Sequence, residues 1–242
     1  MSRLSGKVAL VTGAGRGIGL SLVRRLAAEG ARVLVNDLDA AEAESAARAI
    51  KEAGGVAVAY PGNVANADFP RGFIALEQFG DIHIVVNNAG YIWNAPLHKI
   101  ADEQWDAIQD VHLKAPFRIL RELRTFLDAL VAEERKNGTV VHRKIVNVSS
   151  VSATGRAAGQ ANYAAAKAGL HGLTRSLAKE WGPLSINVNC VAFGYIETRL
   201  TQEIRGETVV TIDDVARRVG LTRPMIEAIK ERTAFGRAGT AD

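Results

Sequence analysis

Short apolar runs are spaced along the chain so that a helix fits between each pair. Val8–Val11 is a continuous apolar run of the kind buried on both faces of a parallel sheet. Residues 32–37, 56–60, 82–86, 144–148 and 185–192 read as further strands. Between the first two, Ile18, Leu22, Val23, Leu26 and Ala27 recur at helical spacing, and Gly30 closes that helix. A second helix over 40–53 has Asp39 as its natural N-cap. Residues 103–134 read as one long helix or two, with Trp105, Ile108, Val111 and Leu113 on the apolar face and Pro116 as a kink. The alanine-rich stretch 157–177 is helical by propensity. Strand and helix alternating in this way predict an α/β fold: one doubly wound domain over 1–242, a parallel sheet with helices on both faces and right-handed crossovers.

The composition agrees. Of 242 residues, 48% are hydrophobic and 23% charged, an ordinary globular mix able to bury a core without disulfides. Cys190 is the single cysteine. With no apolar leader over 1–8 and no stretch long enough to span a bilayer, a cytoplasmic location is expected, with no membrane partner. The net charge of +4 comes from 30 basic and 26 acidic residues scattered along the chain. No basic run is interleaved with aromatics, so charge marks no nucleic-acid surface, although the small surplus suits an anionic cofactor or substrate. The five histidines are dispersed, and no metal site is expected.

Two stretches carry candidate chemistry. The first is Thr12-Gly13-Ala14-Gly15-Arg16-Gly17-Ile18-Gly19, between the first strand and the first helix. The strict G-x-G-x-x-G pattern is not met, but the physics is shared: small residues let the backbone approach a pyrophosphate, and a helix N-terminus stabilises its charge. Asp37 ends the second strand, where a carboxylate accepts hydrogen bonds from the adenosine ribose hydroxyls of NAD and repels the 2′-phosphate of NADP. Arg16 acts in the opposite sense, so NAD is preferred and NADP not excluded. The second stretch is Ala161-Asn162-Tyr163-Ala164-Ala165-Ala166-Lys167. Tyr163 and Lys167 share one helical face a turn apart. A free phenol titrates at about 10, and a fixed positive charge beside it favours the phenolate. Such a phenol trades a proton with an alcohol or carbonyl near neutral pH.

Ser150, Tyr163 and Lys167, together with the glycine turn and Asn87-Asn88-Ala89-Gly90, resemble the short-chain dehydrogenase/reductase family, in the family's order and spacing. The turn matches that family's T-G-x-x-x-G-x-G at Thr12, Gly13, Gly17 and Gly19. The resemblance runs from about residue 5 to the end. It implies hydride transfer between a nicotinamide and a secondary alcohol or ketone. Ser150 would then position the substrate oxygen, Tyr163 transfer the proton, and Lys167 lower the Tyr163 pKa and hold the nicotinamide ribose. It also places Gly13, Arg16, Gly17, Ile18 and Gly19 on the cofactor phosphates, Asn63 and Val64 beside the adenine, and Asn88 along the cleft. The backbone of Ile196 would hold the carboxamide, with the Thr198 hydroxyl reaching it or the phosphates. The nearest resemblance is to 3-oxoacyl-carrier-protein reductases, through Gly159-Gln160-Ala161-Asn162-Tyr163 and Ile196-Glu197-Thr198, which puts a 3-oxoacyl thioester among the candidate substrates. A homotetramer or dimer is expected from the same resemblance.

The chain departs from the family at His112, at Phe193 and at its C-terminus. His112 stands where most members have an asparagine that supports a water chain from the lysine; imidazole also relays protons, so His112 is a fourth candidate catalytic residue. Phe193-Gly194 replaces the family's Pro-Gly. The substrate lid over about 199–235 has no anchor for a particular substrate. The chain stops at Asp242, before the family's final helix and strand. These departures keep a second reading open, a dinucleotide-binding protein impaired in turnover. A third rests on residues 211–232, which look like a helix-turn-helix of a DNA-binding regulator with Gly220 in the turn, although no basic flank follows.

Overall fold

The computed structural model describes residues 2–74, 80–155, 158–203, 209–212, 215–218 and 220–242. Its strands are β1 (Val8–Val11), β2 (Arg32–Val35), β3 (Val56–Ala59), β4 (Ile84–Asn87), β5 (Arg143–Ser150) and β6 (Ile186–Phe193). The helices between them are α1 (Gly17–Ala28), α2 (Ala40–Glu52), α3 (Phe69–Ile74), α4 (Asp102–Gln109) and α5 (Ala115–Lys136), both between β4 and β5, and α6 (Ala161–Trp181). The strands form one parallel sheet in the order β3-β2-β1-β4-β5-β6. The order reverses between β1 and β4, and a doubly wound sheet opens its binding crevice at the strand ends beside such a reversal.

Alternation along β1 divides the core. Val8 and Leu10 face a layer that contains Phe73 of α3, Ile108 of α4, Ile119 and Leu123 of α5, and Ala166 of α6. Ala9 and Val11 face the other layer, with Val23 of α1 and Ala46, Ala47 and Ile50 of α2. Asp39 caps α2 as expected, its carboxylate accepting the Ala41 N–H at 3.1 Å.

Two expectations are corrected. The stretch 103–134 is two helices, and Pro116 does not mark their junction. The junction lies just upstream, where a π-helical turn at Asp110–Lys114 joins α4 to α5. Pro116 lies in the first turn of α5, where its missing N–H has no intrahelical partner to lose. The turn carries one extra residue per hydrogen bond, and such turns recur at functional sites; this one holds His112. The second correction concerns the helix-turn-helix. Its first half is an antiparallel hairpin, β7 (Val209–Ile212) with β8 (Val215–Arg218), followed by one helix, α7 (Arg223–Arg232). The β-branched Val209, Val210, Thr211, Ile212 and Val215 suit strands, and without a first helix the DNA-binding reading falls. Among the described residues, no helix is long and apolar enough to cross a membrane.

Candidate active site

The glycine turn leaves β1 at the reversal and is locked to the end of β4. The Thr12 hydroxyl accepts the N–H groups of Asn88 and Ala89, each at 3.0 Å. In return the Asn88 amide donates to the carbonyls of Thr12 at 3.0 Å and Gly13 at 2.8 Å. Asn87, one residue back, bridges to Asn147 of β5 at 2.9 Å. The close approach demands glycine. A Cβ on Gly13 would lie 2.7 Å from the Ala89 Cα, and one on Gly19 would lie 2.0 Å from the Gly13 carbonyl oxygen. The residue before α1, Arg16, supplies no side-chain cap, so the first N–H groups of the helix stay available to an anion.

Acid and base near the turn are already arranged. Asp37 accepts the Gly15 N–H at 2.9 Å and the Asp39 N–H at 3.1 Å. Arg16 is paired with Asp39 at 2.8 Å and with Glu42 at 3.4 Å. Asn63 folds its own turn, accepting the Ala65 N–H at 2.9 Å. Arg199 stands close enough for the Arg16 charge to act on it. Its Nε is buried with no hydrogen-bond partner among the described residues, and burial first, then Arg16, pulls its pKa below the ordinary arginine value.

At the other end, β5 delivers Ser149 and Ser150 on alternate faces. The Ser149 hydroxyl is buried against α6 and donates to the Lys167 carbonyl at 2.9 Å. Ser150 accepts the Ser152 N–H at 3.1 Å and stands close enough to the Tyr163 phenol to act on its pKa. Lys167 is buried one turn beyond Tyr163; its ammonium donates to the Val148 carbonyl at 2.6 Å and lies 5.7 Å from the Tyr163 ring centre. Burial lowers Lys167 to about 8. Burial also holds the Tyr163 phenol above its ordinary value, with Ser150 pulling the other way. Burial is the largest influence on the phenol here, and the Lys167 ammonium is engaged by the Val148 carbonyl.

His112 packs edge-on against Tyr163, ring centres 5.0 Å apart at 86°. Its Nε2 is 2.7 Å from the Tyr91 carbonyl oxygen. The Tyr91 N–H also lies 3.3 Å from Nε2, but the shorter contact is to a carbonyl, which only accepts; it puts the proton on Nε2 and leaves Nδ1 with a bare lone pair. That Nδ1 is buried without a hydrogen-bond partner among the described residues. Burial, then the charge of Lys167, keeps the imidazole pKa well below its ordinary value. Gly90 makes room for the ring, since a Cβ there would fall 2.1 Å from His112 Cε1.

One cavity of about 1440 Å³ joins the two ends. Gly13, Arg16, Gly17, Ile18, Gly19, Asp37, Asn63, Val64, Asn88, His112, Ser150, Tyr163, Lys167, Ile196 and Thr198 all line it. The segment carrying the last two is tied down by Gly239, which accepts the Glu197 N–H at 2.9 Å and donates to Tyr195 at 2.8 Å. It is also tied by Thr201, whose hydroxyl donates to the Ile196 carbonyl at 2.5 Å. Glycines that forbid a Cβ, an uncapped helix N-terminus and an elongated cavity with an acid near one end fit a nicotinamide dinucleotide. Sequence reading missed Tyr91, which acts through its backbone and leaves no signal. It also missed the steric duty of Gly90, and Arg199, whose adjacency to Thr198 was the available clue.

The family model described as short chain dehydrogenase matches residues 7–208. The short-chain reductase protein NovJ of Streptomyces niveus is 39% identical over 239 residues, covering 97% of this chain and 82% of that protein. A 3-oxoacyl-[acyl-carrier-protein] reductase of Synechocystis is 37% identical over 220 residues, covering 90% and 85% respectively. Among solved structures, a gluconate 5-dehydrogenase from Burkholderia cenocepacia, in complex with NADP and tartrate, superposes with a TM-score of 0.82 at 32% identity, covering 99% of this chain and 85% of that one. With the matched model spanning most of the chain and the parallel sheet, glycine turn and Ser150–Tyr163–Lys167 cluster in place, the chain belongs to the short-chain dehydrogenase/reductase family.

Proposed function

We propose that this oxidoreductase prefers NAD and interconverts a ketone and a secondary alcohol at Ser150 and Tyr163. The observation that carries the reading is that Ser150, Tyr163 and Lys167 line the same cavity as the glycine turn. A nicotinamide bound along that turn supplies or accepts the hydride. Ser150 donates to the substrate oxygen and holds it against the phenol. Tyr163, kept protonated by burial, gives its proton as charge develops on that oxygen. Lys167 is mostly charged at neutral pH, and it offsets the phenolate as it forms.

The preference for NAD rests on charge. Arg16 is the residue that would favour an extra phosphate, and its charge is compensated by Asp39 and Glu42. Asp37 keeps a carboxylate at the end of β2 with its two oxygens anchored. The reductase relatives support a ketone as the substrate, with a 3-oxoacyl thioester among the candidates, and the NADP in the Burkholderia enzyme makes both dinucleotides necessary in any assay.

His112 is a positioning residue in this reading. Its edge contact fixes the Tyr163 ring, and its bare Nδ1 offers an acceptor beside the lysine. In a ketone panel followed by loss of NADH absorbance, His112→Asn, which retains an acceptor, should keep kcat within about tenfold. His112→Leu should lower kcat on the order of 100-fold with the NADH KM unchanged. The wild-type pH profile should show no acid limb in the ordinary imidazole range, because His112 is already neutral there. Equal activity in both variants would remove His112 from the mechanism. A panel in which no ketone is reduced would overturn the reading itself.

A further inference from the structure

The helix α7 presents an apolar face to a cavity instead of to a core. Met225, Ala228 and Ile229 line the cavity, and Arg232 continues their stripe. These positions are spaced i, i+3, i+4 and i+7, one side of a helix. None of the α7 residues is buried, and Met225 is 42% exposed. The opposite side of the helix is polar, with Glu227 paired to Arg223 at 3.2 Å. The same cavity is lined by Ile92, Val151 and Leu200, and Val151 is half exposed.

Charge along this cavity is unevenly placed. Its acidic lining residues, Asp37 and Asp39, both belong to the glycine-turn end, and both are hydrogen-bonded there. Arg232 makes no ion pair with any described residue. It is not required to balance the dinucleotide phosphates, which have the N-terminus of α1 and Arg199 at hand. An apolar stripe that ends in a cation with no ion-pair partner among the described residues suits an occupant with the same pattern. From Met225 to Arg232 the helix rises about 10 Å.

We propose that the substrate carries its ketone on an apolar chain ending in an anionic group, a carboxylate or a phosphate, which pairs with Arg232 at the end of the α7 stripe. The proposal rests on the oxidoreductase reading for the ketone, and on α7 alone for the anion.

The test compares three ketones of one medium chain length: a methyl-ketone carboxylic acid, its methyl ester and the matching alkyl phosphate. Each is assayed with the full chain at saturating NADH. The wild type should favour at least one anion over the ester by about tenfold or more in kcat/KM, and the better anion identifies the group. Arg232→Gln should bring that ratio near one while leaving the ester and the NADH KM unchanged. An ester as good as both anions in the wild type would overturn the proposal. So would an equal loss for all three in the variant, or a raised NADH KM, which would assign Arg232 to the dinucleotide. Binding of the same three probes to the protein–NADH complex, followed by thermal shift, separates the two claims. Anion binding that is lost in Arg232→Gln without turnover of any ketone supports Arg232 and counts against Tyr163 chemistry. No binding of any probe counts against the proposal.

Discussion

Tyr163→Phe should abolish ketone reduction while leaving dinucleotide binding intact. The substitution removes one oxygen and keeps the ring. The edge contact with His112 at 5.0 Å and the packing against the core cluster therefore survive. What disappears is the hydroxyl that would donate the proton beside Ser150 in the cavity. A positioned general acid contributes roughly 10²–10⁴ to the rate, so kcat should fall by about three orders of magnitude. NADH affinity, read by fluorescence, should stay within about twofold, since the cofactor phosphates are held at the other end of the cavity. A fall in affinity matching the fall in rate would mean that Tyr163 serves binding instead of chemistry.

Gly19→Ala should have the largest effect at the cofactor end. The added Cβ would meet the Gly13 carbonyl oxygen at 2.0 Å, the Asn88 amide nitrogen at 2.7 Å and the Ala14 Cα at 2.8 Å. Two of those contacts are backbone, and the third is a side chain already committed to Thr12 and Gly13. Nothing there yields without separating the glycine turn from the end of β4. Overpacking of this kind costs roughly 1–3 kcal/mol of stability. NADH affinity should fall by on the order of 100-fold, because the N–H groups that face the pyrophosphate move with the turn. Thermal melts and NADH titrations of the variant measure the two effects separately. Unchanged NADH affinity in a folded variant would show that the turn does not hold the dinucleotide.

Much of this could be read from the sequence because its determinants are local. The strand–glycine–helix order, the N-cap Asp39 and the spacing of Tyr163 and Lys167 are properties of neighbouring residues, and the fold follows from their repetition. The alternation of Ser149 and Ser150 at the end of β5 explains why one is buried under α6 and the other reaches the cavity. What escaped depends on partners far apart in the chain. The Arg16 charge is met by Asp39 and Glu42 only because β1–α1 and β2–α2 lie side by side. The tautomer of His112 is set by a backbone carbonyl, and its turn interrupts a helical pattern that continues unbroken in the residue types. Pro116 drew attention to the right neighbourhood but marks where α5 starts, not where a helix bends. Residues 209–218 were misread because charged residues interleave with valines, giving a pattern compatible with either period, and strand pairing decided it.

The most direct test of the account is a fluorescence titration of the purified protein with NADH and NADPH at matched ionic strength. The arrangement of Asp37, and of Arg16 held by two carboxylates, predicts tighter binding of NADH, by about tenfold or more, and a narrowed gap in Asp37→Ser. Tighter binding of NADPH would contradict it, placing Arg16 and Arg199 on the extra phosphate in spite of the neighbouring acids.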